Sequence, residues 1–299
     1  MVKVAAIDCG SNSTRLLIAN VSSGELTPVF KTHKVTKTSE GLEVSNIISK
    51  DAKNRLIKAL REYLKKINNE SVDQVLITGT AVFRDAHNAE EVIEEIRNKL
   101  DLEIQIISGD EEGYLTSIGV LSANSINSNF FIVDIGGRST ELIYDTDNRT
   151  NVHSLDMGVV SITERIPNIN PFNKSDIEQA GVIINQKLNL EIDTQKSFMI
   201  GVSGTFTSIA SIYLKQKIYD EDEIHLTTLT YPWITNLSSE LNLMTEAQII
   251  SRYTSLDPKR AKTLSPGVLI VCNIMKKFNF DELKVSKSDI LEGLILKNY

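Results

Sequence analysis

A short polar turn occurs twice in this chain, each time between two apolar runs, and the duplication limits the possible folds. Ile7-Asp8-Cys9-Gly10-Ser11-Asn12-Ser13-Thr14-Arg15-Leu16-Leu17 reads without gaps against Val133-Asp134-Ile135-Gly136-Gly137-Arg138-Ser139-Thr140-Glu141-Leu142-Ile143. Asp8 lies over Asp134, Gly10 over Gly136, Ser13 over Ser139, Thr14 over Thr140 and Leu16 over Leu142. Thr78-Gly79-Thr80 and Ser203-Gly204-Thr205 form a second pair at nearly the same spacing. Two landmarks in register imply two related halves. Each half opens with a strand, a tight turn and a returning strand.

Periodicity fills in the rest. In the first half, strands are predicted at Val4–Cys9, Thr14–Asn20, Val75–Thr78 and Glu103–Ile107, and helices at Asp51–Ile67, Ala89–Leu100 and Asp110–Leu121, the last with Asp110 as N-cap. The second half repeats the opening with strands at Phe130–Ile135, Thr140–Asp145 and Val152–Asp156. It continues with helices at Ser175–Leu190, Thr205–Leu214 and Thr245–Arg252, a strand at Phe198–Val202, and a helix over Pro258–Lys276 interrupted near Pro266. A last strand, Leu283–Ser286, precedes a closing helix at Ser288–Lys297. Strands alternating with helices predict an α/β fold with a mixed sheet in each half. A helical joint is expected near residues 120–127.

Composition narrows the function classes. The chain has 299 residues, 41% hydrophobic and 24% charged, so a disordered tail is excluded. Its longest apolar runs fall far short of a membrane span, and Asp8 interrupts the apolar start of any leader. Cys9 and Cys272 form no disulfide framework and no zinc spacing, which fits a reducing cytoplasm. The formal net charge of −7 disfavours general binding to nucleic acid or to anionic membranes. His33, His87, His153 and His225 are scattered, which argues against a multi-histidine metal hydrolase.

The turns carry the chemistry. A glycine- and hydroxyl-rich turn presents several backbone N–H groups to one point and suits phosphate oxygens. Ser11, Asn12, Ser13 and Arg15 supply this in the first half, and Gly136, Gly137, Ser139 and Thr140 in the second. Asp8 and Asp134 end the first strands and are expected to face each other across a cleft. Phosphates there need a counter-cation, and Mg²⁺ takes one or two carboxylates with phosphate and water. Asp134 is the better ligand; Glu141 is either a second or a solvated strand residue. Glu111 and Glu112 sit at a helix start, where acidic residues are favoured electrostatically or where one could activate a water. Arg84 suits bidentate phosphate contact, unless it and Asp85 form only a surface feature. Lys31, Lys34 and Lys37 read as a solvated face or as a path for a polyanion.

These segments, taken in order with Gly79-Thr80-Ala81-Val82-Phe83-Arg84-Asp85-Ala86, Ile107-Ser108-Gly109-Asp110-Glu111-Glu112 and Asp156-Met157-Gly158, resemble the exopolyphosphatase / guanosine pentaphosphate phosphohydrolase (Ppx/GppA) family in its short form. The resemblance implies two duplicated actin-like, ribonuclease H-like (ASKHA) domains with a cleft between them, over 1–121 plus 287–299 and over 122–286. It implies Glu112 as catalytic base, with Arg84 beside the phosphates. It implies Mg²⁺ on Asp134 and Glu141, with Asp8 as a further candidate ligand. Phosphates would be held by Gly10, Ser11, Asn12, Ser13, Arg15, Gly136, Gly137, Arg138, Ser139, Gly204 and Thr205. Three departures stand out. Arg138 replaces the third glycine of the second turn, and Ser203 the first glycine of the later loop. The family's Ser-x-x-Gly-Leu-Arg-Glu-Gly is here Ser286-Lys287-Ser288-Asp289-Ile290-Leu291-Glu292-Gly293.

The activity implied is release of terminal orthophosphate from inorganic polyphosphate by Mg²⁺-assisted in-line attack of water. The alternatives are a pppGpp 5′-phosphohydrolase, a kinase of the same superfamily, a polymerising actin-like protein, or a polyphosphate- or nucleotide-binding pseudoenzyme. No nucleic-acid or membrane partner is expected. The resemblance implies a homodimer, although no heptad seam or interface stripe is readable.

Overall fold

The computed structural model of the chain describes residues 1–124, 129–146, 149–166, 171–194 and 197–299. In chain order the elements are β1 (Val2–Cys9), β2 (Ser13–Ser22), β3 (Glu25–Val35), α1 (Leu42–Ser45), α2 (Lys50–Asn69), β4 (Gln74–Gly79), α3 (Ala81–Asp85), α4 (Ala89–Leu100), β5 (Gln105–Ile106) and α5 (Gly109–Asn124). There follow β6 (Phe130–Ile135), β7 (Thr140–Thr146), β8 (Arg149–Leu155), α6 (Val159–Arg165), α7 (Lys174–Lys187), β9 (Phe198–Val202), α8 (Ser203–Tyr213), α9 (Glu221–Ile224) and β10 (Thr228–Thr230). The last are α10 (Tyr231–Asn242), α11 (Glu246–Arg252), a 3₁₀ turn (Pro258–Arg260), α12 (Ala261–Lys277), β11 (Glu282–Val285) and α13 (Ile290–Asn298). The chain divides into two compact units, one of Met1–Ser125 with Ser288–Tyr299 and the other of Ile126–Lys287. The expected helical joint near 120–127 lies partly outside the described residues.

The two sheets repeat one topology. The first has the order β3-β2-β1-β4-β5, and the second β10-β11-β9-β6-β7-β8. Read from the far edge, β8-β7-β6-β9-β11 retraces the first sheet strand for strand. In each, a hairpin pairs antiparallel and the next strand joins parallel to the first, β4 on β1 and β9 on β6. This is the duplicated actin-like α/β arrangement that the resemblance implies.

Burial explains why β1 holds the centre of its sheet. Its run Val4–Cys9 is buried on both faces, as a strand covered by helices on each side requires. Alternate side chains go to opposite layers. Ala5, Ile7 and Cys9 join the core with Leu56, Leu60, Val92 and Ile96 of α2 and α4. Val4 and Ala6 join the other core with Leu115 of α5 and Ile290, Leu291 and Ile295 of α13. Asp8 therefore falls on the layer of α5 and α13. Ser49 starts α2 by accepting a hydrogen bond from the Ala52 amide at 3.2 Å. In the second unit one core gathers Phe131, Val133 and Ile135 of β6 with α7, α8, α10 and α12.

Two predicted helix features differ. The helix over 261–277 runs unbroken through Pro266, and the interruption falls earlier, as the 3₁₀ turn. Leu264, Val268, Ile270, Val271 and Ile274 bury its face, and that packing outweighs the one backbone bond that Pro removes. Asp110 does not cap α5. Ser108 does, its Oγ accepting from the Glu111 amide at 3.1 Å, so Asp110 lies inside the first turn. Among the described residues no helix is long and apolar enough to cross a membrane.

Helices α5 and α13 cross at two glycines. A Cβ on Gly119 would stand 1.9 Å from the Asp289 carbonyl oxygen, and one on Gly293 would stand 1.8 Å from the Leu115 carbonyl oxygen. Gly293→Ala is expected to destabilise the protein by about 3 kcal/mol through forced separation of the helices. Gly181→Ala on α7 meets nothing within 4 Å and should raise stability by about 0.5–1 kcal/mol through helix propensity. Urea unfolding of both variants measures the contrast.

Candidate active site

The first turn is built by its own backbone. The Gly10 amide donates to the Ser13 carbonyl at 3.1 Å, and a Cβ on Gly10 would lie 2.8 Å from that same oxygen. The carbonyls of Ser11 and Asn12 accept from the amides of Ser39 and Lys37 at 3.0 and 2.9 Å. A trans peptide sets its N–H opposite its C=O. The amides of Asn12 and Ser13 are thus aimed away from the 37–39 segment, as two neighbouring donors.

The second turn repeats this device. The Gly136 amide donates to the Ser139 carbonyl at 2.9 Å. The Gly136 carbonyl accepts from Val159 at 3.0 Å, and the Gly137 carbonyl from Val160 at 2.7 Å and Ser161 at 3.2 Å. Helix α6 therefore holds the carbonyls on one side, and the amides of Gly137 and Arg138 point to the other. Arg138 is buried in this turn. In the third, Ser203 has φ +69° and its Oγ donates to the Ile135 carbonyl at 2.9 Å. That bond ties the start of α8, with Gly204 and Thr205, to the end of β6.

Register decides what stands beside each aspartate. Asp8 is opposite Arg15, and Asp134 is opposite Glu141. Arg15 grips Asp8 Oδ2 from Nε at 2.9 Å and Nη2 at 2.8 Å, and its Nη1 donates to Asp289. Asp8 Oδ1 is buried without a hydrogen-bond partner. Burial pushes the Asp8 carboxyl above the usual range, with Arg15 opposing. For Asp289 burial also opposes the charge, but Arg15, Lys31 and the Leu291 amide together hold it below the ordinary value. Arg15, expected on phosphate, is thus engaged by two carboxylates.

Asp134 and Glu141 are both buried, and Glu141 Oε1 accepts from Ser154 Oγ at 2.9 Å. Glu141 is fully enclosed rather than solvated. Directly opposed residues of an antiparallel pair project to one face with Cβ atoms about 5 Å apart. That gives two oxygen donors for one cation. Among the described residues no group of three or more His, Cys, Asp or Glu could hold a metal. A two-carboxylate set suits Mg²⁺, which keeps waters and phosphate oxygens as its remaining ligands.

Glu111 and Glu112 are separated by the helix that carries them. Glu111 turns to α13, where Lys297 donates to it at 2.8 Å. Glu112 is buried, and its Oε2 accepts from Arg84 Nη1 at 2.9 Å. The same Nη1 donates to the Ile107 carbonyl at 2.9 Å. Arg84 is therefore the partner of Glu112 rather than a surface feature with Asp85. Lys31 pairs with Glu292 at 3.1 Å, and Lys34 with Glu62, so neither is an open lysine along a polyanion path. Leu291 is fully buried in the core shared by β1 and α13.

Two residues escaped sequence reasoning. Asp289 lies 274 positions from Arg15, and no local pattern announces the pairing. Arg260 packs its guanidinium on Gly204, where a Cβ would be 2.0 Å from Nη1, and it reaches Ser208 Oγ at 3.5 Å. Its only signal was a basic residue just before a buried helix.

Comparison with known proteins follows the same features. A model described as the Ppx/GppA phosphatase family matches residues 17–299. A Fusobacterium nucleatum protein named bifunctional 3-dehydroquinate synthase/phosphatase is 32% identical over 98% of this chain, and the chain spans 46% of that relative's length. Exopolyphosphatase 2 of Mycobacterium tuberculosis is 27% identical, over 99% of this chain and 98% of the relative. The solved structure of the Aquifex aeolicus member of the Ppx/GppA family superposes with a TM-score of 0.82 at 26% identity, over 99% of this chain and 97% of that one. An exopolyphosphatase-like protein superposes with a TM-score of 0.93 at 26% identity and the same coverage.

The Arg84–Glu112 pair has a measurable weight. Arg84→Met keeps the stem and leaves a buried carboxylate without its guanidinium, at an expected cost of about 3 kcal/mol. Glu112→Gln retains an acceptor for Arg84 and should cost about 1 kcal/mol or less. Denaturant unfolding of the two variants tests the difference.

Proposed function

We propose that this chain, which belongs to the Ppx/GppA phosphatase family, hydrolyses the terminal phosphoanhydride bond of inorganic polyphosphate and releases orthophosphate. The observation that carries the reading is Glu112, buried in the first turn of α5 and oriented by Arg84. A carboxylate so held accepts a proton from an attacking water. Arg84 keeps its Oε2 in place. The amides of Asn12, Ser13, Gly137 and Arg138 would take the non-bridging oxygens of the substrate, donors already oriented before charge develops on them. Asp134 and Glu141 would hold Mg²⁺, which when bound offsets the negative charge of the phosphoryl groups. Relatives named exopolyphosphatase support polyphosphate as the substrate. The paired Lys31 and Lys34 give a long chain no open lysine track, so recognition would rest on the turns and the cation.

The test is orthophosphate release by the purified protein with Mg²⁺ from long-chain polyphosphate, pppGpp and ATP. Release from polyphosphate is expected to be fastest. Glu112→Gln should lower turnover about 10³-fold, within the range of general-base catalysis, with binding retained. Chelation should abolish release, and added Mg²⁺ should restore it. Faster release from pppGpp would reassign the substrate. Unchanged turnover in the Gln variant would remove Glu112 from the mechanism.

A further inference from the structure

We infer that Asp289 is a positioning residue for Asp8, acting through Arg15, and that it aims Asp8 Oδ1 at a hydrated divalent cation. The inference rests on the proposed polyphosphate hydrolysis and on Asp8 as the further candidate cation ligand of that site. Its geometry lies wholly within the first unit. Strand alternation brings Asp8 to the layer of α13, where Asp289 opens the helix. The guanidinium of Arg15 is held at both ends, by Asp8 through Nε and Nη2 and by Asp289 through Nη1. A planar fork pinned on both sides cannot leave either carboxylate without breaking a buried ion pair. Asp289 is itself fixed, because its Oδ1 accepts from the Leu291 amide at 3.3 Å and its own amide donates to Glu292 Oε2 at 2.8 Å.

Asp8 therefore offers one oxygen and not two. Oδ2 is consumed by Arg15, while Oδ1 is buried with no hydrogen-bond partner. Asp8 is only 5% exposed. A buried carboxylate oxygen without a donor costs free energy unless a ligand supplies positive charge or a proton. The charges around it select the sign of that ligand. Asp8, Asp289 and Glu292 are three carboxylates, and Arg15 and Lys31 are two cations engaged with them. Such a group attracts a cation and repels a bare phosphate. A hard, oxygen-seeking ion such as Mg²⁺, or one of its waters, satisfies Oδ1. Asp289 stands where the family pattern has glycine, and the buried Leu291 where it has arginine, so this chain carries its clamp in residues of its own.

The experiment uses the full chain. Asp289→Asn keeps an acceptor for the Leu291 amide and so keeps the start of the helix. Arg15→Lys keeps the charge and loses the two-ended grip. Mn²⁺ binding is measured by the spin-resonance signal of the free ion, without substrate. Orthophosphate release from polyphosphate is then titrated with Mg²⁺. Both variants are expected to bind Mn²⁺ about tenfold more weakly, as removal of a ligand's orienting partner does. They should need about tenfold more Mg²⁺ for half-maximal release, with KM for polyphosphate within about twofold at saturating Mg²⁺. If Asp8→Asn loses Mn²⁺ affinity while Asp289→Asn and Arg15→Lys keep it, the clamp is overturned and the site reading stands. If Asp8→Asn also binds and turns over normally, both fall. A raised KM with unchanged Mn²⁺ affinity would return Arg15 to phosphate binding and overturn the proposal.

Discussion

The antiparallel register of the duplicated hairpins sets the charge at each turn. Each first strand carries a buried aspartate one residue before its end, and the ladder allows only one residue to stand directly across from it. In the first unit that residue is Arg15, and in the second it is Glu141. One backbone device thus yields two electrostatic environments. The first aspartate is neutralised on one oxygen, and the second is joined by another carboxylate. Both arise from a strand–turn–strand in which the first glycine amide closes on a carbonyl three residues later. A one-residue slip would send every side chain of the returning strand to the other face. The turn closure and the chemistry therefore cannot vary independently.

The C-terminal helix ties the first unit's parts together. Helix α13 lies on α5 at the Gly119–Gly293 crossing, holds Glu111 through Lys297, and presents Asp289 to Arg15. Glu112 and Asp8, the two carboxylates proposed for chemistry in this unit, are each positioned by an arginine. Arg84 reaches Glu112 from α3, and Arg15 reaches Asp8 from β2. Drawing Glu111 outward is what leaves Glu112 as the inward member of the pair.

Much of this was legible in the residues. The repeat in the two turns foretold two sheets of one topology, because a hairpin followed by a parallel strand has few ways to close. The helix over Ala89–Leu100 emerged at its predicted bounds, since its apolar face is strongly periodic. Long-range and marginal features were not legible. Strand β3 runs over Glu25–Val35 with few buried residues and a proline, so little apolar alternation marks the bounds of this edge strand. The helix interruption was expected near Pro266 because proline resembles a helix breaker, and only its burial shows why the helix persists there. The Asp110 cap failed because two polar residues two positions apart compete for that role, and Ser108 accepts the Glu111 amide. The pairing of Arg15 with Asp289 was not legible because the two sit in distant segments.

The placement of α13 also governs how the chain comes together as it is made. The layer of β1 that carries Val4, Ala6 and Asp8 is covered by residues 290–298, which are translated after the whole of the second unit. Until then, that face of the first sheet lacks one of the helices that cover it, and Arg15 has no Asp289. A nascent chain therefore holds an incomplete first unit while the second, contiguous in sequence, is free to fold as a block. The contacts of β1 with α13 span the widest sequence separation within the first unit, and such separations cost most in loop closure.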